Sequence, residues 1–406
     1  MTTPPAHVLL DRDTLALADE IGAQDTLPDM VKLVSGLKKA GHPQARIHHA
    51  LEQVRLRRKA RAKLGPFAER MLFTEAGLEQ ATRLSVAAHH AGRFQKTGLT
   101  TVADLGCGLG VDSMAMASIG INVMAVEQDE LTAALATYNL APFDNARVIH
   151  GDALGVNLTN IDAIWLDPAR RSNGKILNDP SQWSPTLTEV FTLSEKTPSG
   201  IKLAPGIDRN LLPDHAEWQW VSADGETVEV VVWTGALARP GVGRAALVIS
   251  GEGAHELTSP TDSADQPVGE LGEYLYEPDG AIIRARLIGD LARNLTGRMV
   301  HPTIAYITAD TPQHTPFATG FRIHRVLPYK MGSLKKWALD QNIGAVEIKK
   351  RGIDVDPATL RKSLPLRGER QATLILTRVG DKRVALVASR LEPAAVNTTG
   401  EGSHPK

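Results

Sequence analysis

Four acids in this 406-residue chain stand where short apolar runs end: Asp104, Glu127, Asp152 and Asp167. Beside the first lies a triplet of alternating glycines, Gly106-Cys107-Gly108-Leu109-Gly110. Glycine takes positive φ at little cost and carries no Cβ, so backbone at Gly106, Gly108 or Gly110 can turn sharply and touch a ligand. Glu127 follows Gly110 by 17 positions, where a carboxylate can accept both hydrogens of a ribose diol. Asp104 could meet a cationic or amine group, and Asp152 an exocyclic adenine amine. Asp167, followed at once by Pro168, ends a fourth apolar run. Ligands of open α/β sheets bind at the carboxyl ends of strands, so this tip should face the same ligand.

The glycine loop reads D-x-G-C-G-x-G rather than G-x-G-x-x-G, and an anion beside Asp104 would be repelled. S-adenosylmethionine, with a sulfonium, an amine and a ribose but no phosphate, fits better than a dinucleotide. DLGCGLG (104–110), AVEQD (125–129), HGDAL (150–154) and WLDPA (165–169) resemble the ordered motifs of class I S-adenosylmethionine-dependent methyltransferases. Four motifs in order are far more specific than a lone glycine loop. The resemblance implies an α/β fold: a Rossmann-like, seven-stranded class I methyltransferase sheet. An N-terminal helical domain would precede it, and a small C-terminal α/β, THUMP-like domain would follow.

Methyl transfer is an in-line displacement, to which an enzyme contributes mainly by holding nucleophile and methyl at attack distance. Asp167-Pro168 resembles the [N/D]-P-P-x motif of amino-group and RNA-base methyltransferases. That likeness implies that Asp167 accepts one hydrogen of a target nitrogen and the Pro168 carbonyl the other, its direction fixed by the rigid proline φ. Ala169 replaces the second proline and Arg170 the usual aromatic, leaving Arg170 or Arg171 to stack on a base or bind phosphate. DPAR also resembles the DPPR of pyrimidine-C5 methyltransferases, which need a separate nucleophilic cysteine. The only cysteine here, Cys107, belongs to the glycine loop.

The elements that must position these groups follow from periodicity and turn residues. Residues 1–98 read as an N-terminal helical domain. One helix opens at Leu27-Pro28-Asp29 and closes at Gly41; a second runs from near Pro43 to Gly65-Pro66; a third stretch runs from Phe67 to Phe94 with a break at Gly77. The second carries a basic run of seven Lys/Arg within 46–63, placed either for the helix macrodipole or for phosphate contact. Residues 99–250 read as the methyltransferase domain. Within it, Ser184-Pro185 starts a helix, and Val228–Trp233 with Arg244–Ser250 forms a closing antiparallel hairpin. Residues 251–319 read as a linker and connecting segment, and 320–392 as an α/β module ending in a hairpin across Gly380-Asp381.

One cysteine excludes an internal disulfide and a cysteine-based zinc cluster. The thirteen histidines show no HExxH pattern, and the adjacent pair His48-His49 does not share a helix face, so no metal site is read. No apolar stretch approaches the roughly 20 residues of a membrane span, and the first residues do not read as a signal peptide, so the expected place is the cytoplasm. Net charge is −1, but residues 321–390 hold sixteen Lys/Arg against six acids, a local excess suited to a polyanion. IKLAPGID (201–208), YLYEPDGAIIRA (274–285) and EIKKRG (347–352) extend the resemblance to a bacterial methyltransferase family with a C-terminal THUMP-like domain. It implies RNA, tRNA or rRNA, as partner and N-methylation of a base as reaction, with Lys349, Lys350 and Arg351 as contacts. The alternatives are methylation of a small-molecule or protein amine, and a non-catalytic cofactor- or RNA-binding protein.

Overall fold

The computed structural model describes residues 10–23, 30–169, 171–172, 175–177 and 179–392. The chain divides into two units, Met1–Trp218 with Glu229–Pro240, and Gln219–Val228 with Gly241–Lys406.

The first unit begins with helices. Asp11 caps α1 (Arg12–Gly22) by accepting the Thr14 N–H. After α2 (Met30–Lys39) comes α3 (Gln44–Leu64), which stops at Gly65. Leu17, Ala18 and Ile21 of α1 pack on Ala50 and Val54 of α3. The stretch expected as one helix from Phe67 to Phe94 is three pieces: a 3-10 turn (Gly65–Arg70), α4 (Glu75–Gln80) and α5 (Leu84–Lys96). Gly77 does not break it; its N–H is capped by the Thr74 hydroxyl. The chain is instead held extended at Leu72 and Phe73. The Asn139 amide bonds both backbone groups of Leu72 and the Gln53 amide both those of Phe73, leaving them none for a helix.

The basic run of α3 is structural. Arg55 and Lys59 pair with Glu75, Arg61 with Glu69, and buried Arg57 bonds Asp19 and the Met71 carbonyl. Lys63 donates to the carbonyls of Leu78, Glu79 and Ala81. These cations tie α3 to the extended segment and α4.

The sheet contains β1 (Thr101–Leu105), β2 (Asn122–Glu127), β3 (Ala146–His150), β4 (Ala163–Leu166), β5 (Ser199–Leu203), β6 (Glu217–Ala223) and β7 (Glu226–Trp233). These seven run in the order β6-β7-β5-β4-β1-β2-β3 within a sheet of nine strands, not the seven expected, with β5 through β3 parallel and β7 antiparallel to β5. The crossovers include α6 (Val111–Ser118), α7 (Glu130–Leu140) and α8 (Leu187–Ser194). Two expectations need correction. The closing hairpin is β6 with β7, because Arg244–Ser250 pairs forward with Gly253–Ser259 across a two-residue turn. The N-cap of α8 is Thr186, in a capping box with Glu189, so Ser184-Pro185 lies outside the helix.

The core beneath β4 and β5 is aromatic: Trp165, Trp233 and Phe94 meet edge-on or tilted, with ring centroids 5.8–6.4 Å apart. Gly200 makes room for them. A Cβ there would lie 2.6 Å from Trp233 and 2.7 Å from Trp165. Gly200→Ala is expected to cost about 2 kcal/mol by overpacking; an unchanged urea midpoint would show that the two indoles can move apart.

In the second unit β8 (Arg244–Ser250) and β9 (Gly253–Ser259) form a hairpin that completes the nine-stranded sheet, in the order β9-β8-β6-β7-β5-β4-β1-β2-β3. A second sheet contains β10 (Tyr274–Pro278), β11 (Arg298–His301), β12 (Ile304–Ala309), β13 (Ala318–Pro328), β14 (Ile343–Lys350), β15 (Arg370–Val379) and β16 (Lys382–Arg390), in the order β11-β12-β10-β13-β16-β15-β14. Residues 251–319, read as linker, thus supply strands and two short helices, α9 (Gly280–Arg284) and α10 (Ile288–Asn294). Their alternation is masked in sequence by the acidic, Gly/Ser-rich lead-in. In the C-terminal part, α11 (Met331–Asp340) and α12 (Pro357–Ser363) bury Leu334, Trp337 and Leu360 against Leu374, Leu376 and Ala385 of the sheet.

Candidate active site

The glycine loop joins β1 to α6 and folds over the tip of β2. The N–H groups of Gly106 and Cys107 both donate to the Val126 carbonyl, at 2.9 and 3.0 Å. Gly106, Gly108 and Gly110 all have positive φ (94°, 55° and 84°). Their surroundings differ. A Cβ on Gly106 would stand 2.9 Å from the Asp167 carbonyl oxygen, so the loop and the tip of β4 are in contact. A Cβ on Gly108 would meet nothing within 4 Å, so this peptide is open to an approaching ligand. Glu127 is fixed beside it: Gly108 N–H donates to Oε2 at 3.0 Å and Asp129 N–H to Oε1 at 2.9 Å. Asp152 is exposed after β3 and accepts the Leu154 N–H.

Asp104 is turned inward. It is 1% exposed and accepts the Ser113 hydroxyl at 2.5 Å. Burial, with Asp112 and Asp167 nearby, pushes its carboxyl up to about 8. It is therefore an uncharged acid at neutral pH, not the anion that the sequence placed against a cationic ligand group.

Asp167 ends β4 with its side chain one-third exposed. Lys202, from β5, donates to its Oδ2 at 2.6 Å and to Thr82 Oγ1 at 3.0 Å. Thr82 donates to Asp112 Oδ2 at 2.7 Å. Asp112 Oδ1 lies 2.8 Å from His90 Nδ1, and His90 Nε2 lies 2.6 Å from Glu229 Oε1. Burial alone would favour neutral imidazole, but Glu229 and Asp112 hold His90 protonated up to about 9. Burial also opposes the charge on Lys202, which Asp167, Asp112 and Glu229 more than restore. Asp112 is pushed up by burial yet ends below the ordinary carboxylate range because His90 bonds it. Pro168 is buried, and Ala169 exchanges both backbone hydrogen bonds with Ser184, so the chain after Asp167 is pinned.

Lys202, His90, Asp112, Thr82 and Glu229 were not singled out from sequence. Their one signal is a charged or polar residue inside an otherwise apolar element, as Lys202 is within GIKL and Asp112 within VDSMAMA. Arg170 lies outside the described residues, and of Arg171 only the backbone is described, in a two-residue strand.

In the second unit, Lys349 pairs with Glu277 at 2.6 Å and lies over the Phe321 ring. Arg351 is 3.8 Å from the same carboxylate and lies over Tyr306. Only Lys350 of this trio is fully exposed; strand alternation turns it to the opposite face. On α3, His48 and His49, expected on separate faces, do converge with Glu52: one ligand atom from each lies within 4.8 Å of the others. Among the described residues no helix is long and apolar enough to cross a membrane.

Comparison with known proteins shows the family. The chain is 31% identical over 340 residues to an uncharacterized S-adenosylmethionine-dependent methyltransferase of Mycobacterium tuberculosis, recorded in strains CDC 1551 and H37Rv. The match spans 81% of this chain and 92% of that protein. The chain belongs to the S-adenosylmethionine-dependent methyltransferases. A crystal structure of a Porphyromonas gingivalis W83 protein assigned as a methyltransferase superposes with a TM-score of 0.73 at 22% identity, over 94% of this chain and 99% of that one. The family described as THUMP domain-like matches residues 318–390.

The methyltransferase's cofactor is S-adenosylmethionine, which when bound supplies an electrophilic sulfonium methyl. The residues at the strand tips suit it. The open Gly108 peptide and the fixed Glu127 carboxylate offer a bare surface and a diol acceptor, and the glycine loop carries no cation that a phosphate would call for.

Proposed function

We propose that this methyltransferase N-methylates a base of tRNA or rRNA. The observation that carries the reading is the contact between Gly106 and the Asp167 carbonyl. It brings the backbone of Asp167, whose side chain is one-third exposed, against the glycine loop, and orientation of acceptor and methyl is what this chemistry needs. In this reading Gly106, Gly108 and Gly110 cradle the donor, Glu127 takes its ribose diol and Asp152 its adenine. Asp104 shapes the pocket as a neutral acid through Ser113. Asp167 accepts one hydrogen of the target amine and the Pro168 carbonyl the second.

The RNA part rests on the THUMP domain-like match and on the exposed cations of the same module, including Lys335, Lys336, Lys350, Lys362 and Arg367. Lys349 and Arg351 are partly neutralised by Glu277, so Lys350 is the stronger contact of the three, with Arg170 and Arg171 as contacts near the reacting base. Tritiated donor and RNA from a strain lacking this gene should yield one labelled nucleoside, identified by mass spectrometry. Binding should weaken steeply with salt, and Lys350→Ala should lower the slope of log K against log salt by about 1. Label entering no RNA, but a small-molecule or protein amine fraction, would transfer the acceptor to that class.

A further inference from the structure

The assignment of Asp167 leaves open what determines its charge and aim, and the interior of the first unit answers. Lys202 is a cation on a central strand, its side chain only 14% exposed. Its ammonium is held from two sides, by Asp167 Oδ2 and by Thr82 Oγ1. Thr82 is in turn fixed by Asp112, and Asp112 by His90, which Glu229 anchors from the far side. Buried ions at this density persist only when each is paired and hydrogen-bonded. Asp104, a further acid near Lys202, accepts the Ser113 hydroxyl.

We propose that Lys202 is the positioning residue of the methyl-transfer site: it occupies Oδ2 of Asp167 and fixes the carboxyl group, leaving Oδ1 as the acceptor offered to the reacting centre. The series Thr82, Asp112, His90 and Glu229 is the frame that holds Lys202. The inference rests on the placement of Asp167 beside the transferred methyl, and makes the acceptor a hydrogen-bond donor, an amine, rather than an anionic oxygen. An anionic oxygen has no hydrogen to donate to Oδ1.

The test uses sinefungin, the donor analogue with an amine in place of the sulfonium methyl, and S-adenosylhomocysteine, which lacks both. Calorimetry on the full chain should show sinefungin bound more tightly, because its amine meets Oδ1. Lys202→Met should reduce that preference about tenfold at pH 7, as the carboxyl loses the partner that fixes it and that opposes the upward pull of burial on its pKa. Lys202→Arg should retain most of it. Thr82→Val, which removes one restraint without creating an unpaired ion, should reduce it about threefold and serves if Lys202→Met does not fold. A purely structural role would weaken both ligands equally and leave their ratio unchanged; that result, or equal binding of the two ligands by the native protein, overturns the proposal. Because the ratio requires no acceptor, failure of RNA methylation with an intact ratio would refute the RNA reading and spare Lys202.

Discussion

Replacing Asp167 with alanine is expected to lower the rate of methyl transfer by about 10²–10⁴-fold, the range of a single positioned proton acceptor. The Kd for S-adenosylhomocysteine should change less than about threefold, since the carboxylate acts on the acceptor nitrogen and not on the donor. The two effects separate because Asp167 ends β4, whereas the groups given to the donor lie on the β1–α6 loop and at the ends of β2 and β3. Asp167→Asn is the sharper variant. It keeps the shape, and its amide oxygen can still accept from Lys202, but it loses the charge. If charge is what Lys202 maintains, asparagine should be nearly as slow as alanine; if hydrogen-bond geometry alone matters, it should be nearly native. Full turnover by the alanine variant, read as tritium entering RNA from a strain lacking the gene, would remove Asp167 from the mechanism.

The second large effect concerns stability. His90→Gln should cost about 3–5 kcal/mol at pH 7, the usual consequence of withdrawing one member of a buried ion cluster, because Asp112 and Glu229 would face each other without a cation between them. The same histidine sets a pH dependence. Its pKa is raised in the folded state from 6.5 to about 9. Folding therefore gains from its proton below pH 6.5 and loses that gain as pH rises through 9, on the order of 3 kcal/mol in all. Asp104, raised from 3.8 to about 8, acts in the same direction: the folded state keeps a proton that the unfolded chain has released. Between pH 6.5 and 8 both groups make stability fall with rising pH. Urea titrations at half-unit steps should show that fall, and Asp104→Asn should flatten it. Stability that is level or rising across this window would mean that His90 is neutral in the fold.

These results mark the boundary between what was legible in the chain and what was not. The glycine loop, its flanking strands and the acids at the strand tips could be read directly. Each is a local signal: apolar period two, glycine at a turn of positive φ, an acid where the run stops. The C-terminal module was legible for the same reason; its hairpin across Gly380-Asp381 forms as expected. Misreadings arose where a distant partner overrode the local pattern. Gln53 and Asn139 hold Leu72 and Phe73 extended inside a helical-looking stretch.

By itself, then, the sequence determined a βαβ unit with a glycine-rich first turn, and the Asp-Pro at the tip of the fourth strand. Only the tertiary structure decided that Asp104 is buried and neutral, that Lys202 holds Asp167, and that His90 lies between Asp112 and Glu229. Those partners stand 35, 22 and 139 residues apart along the chain. No periodicity or turn rule spans such separations. Buried charges find one another only after the sheet has brought β4, β5, β7 and α6 together and excluded the water that would otherwise have solvated each alone.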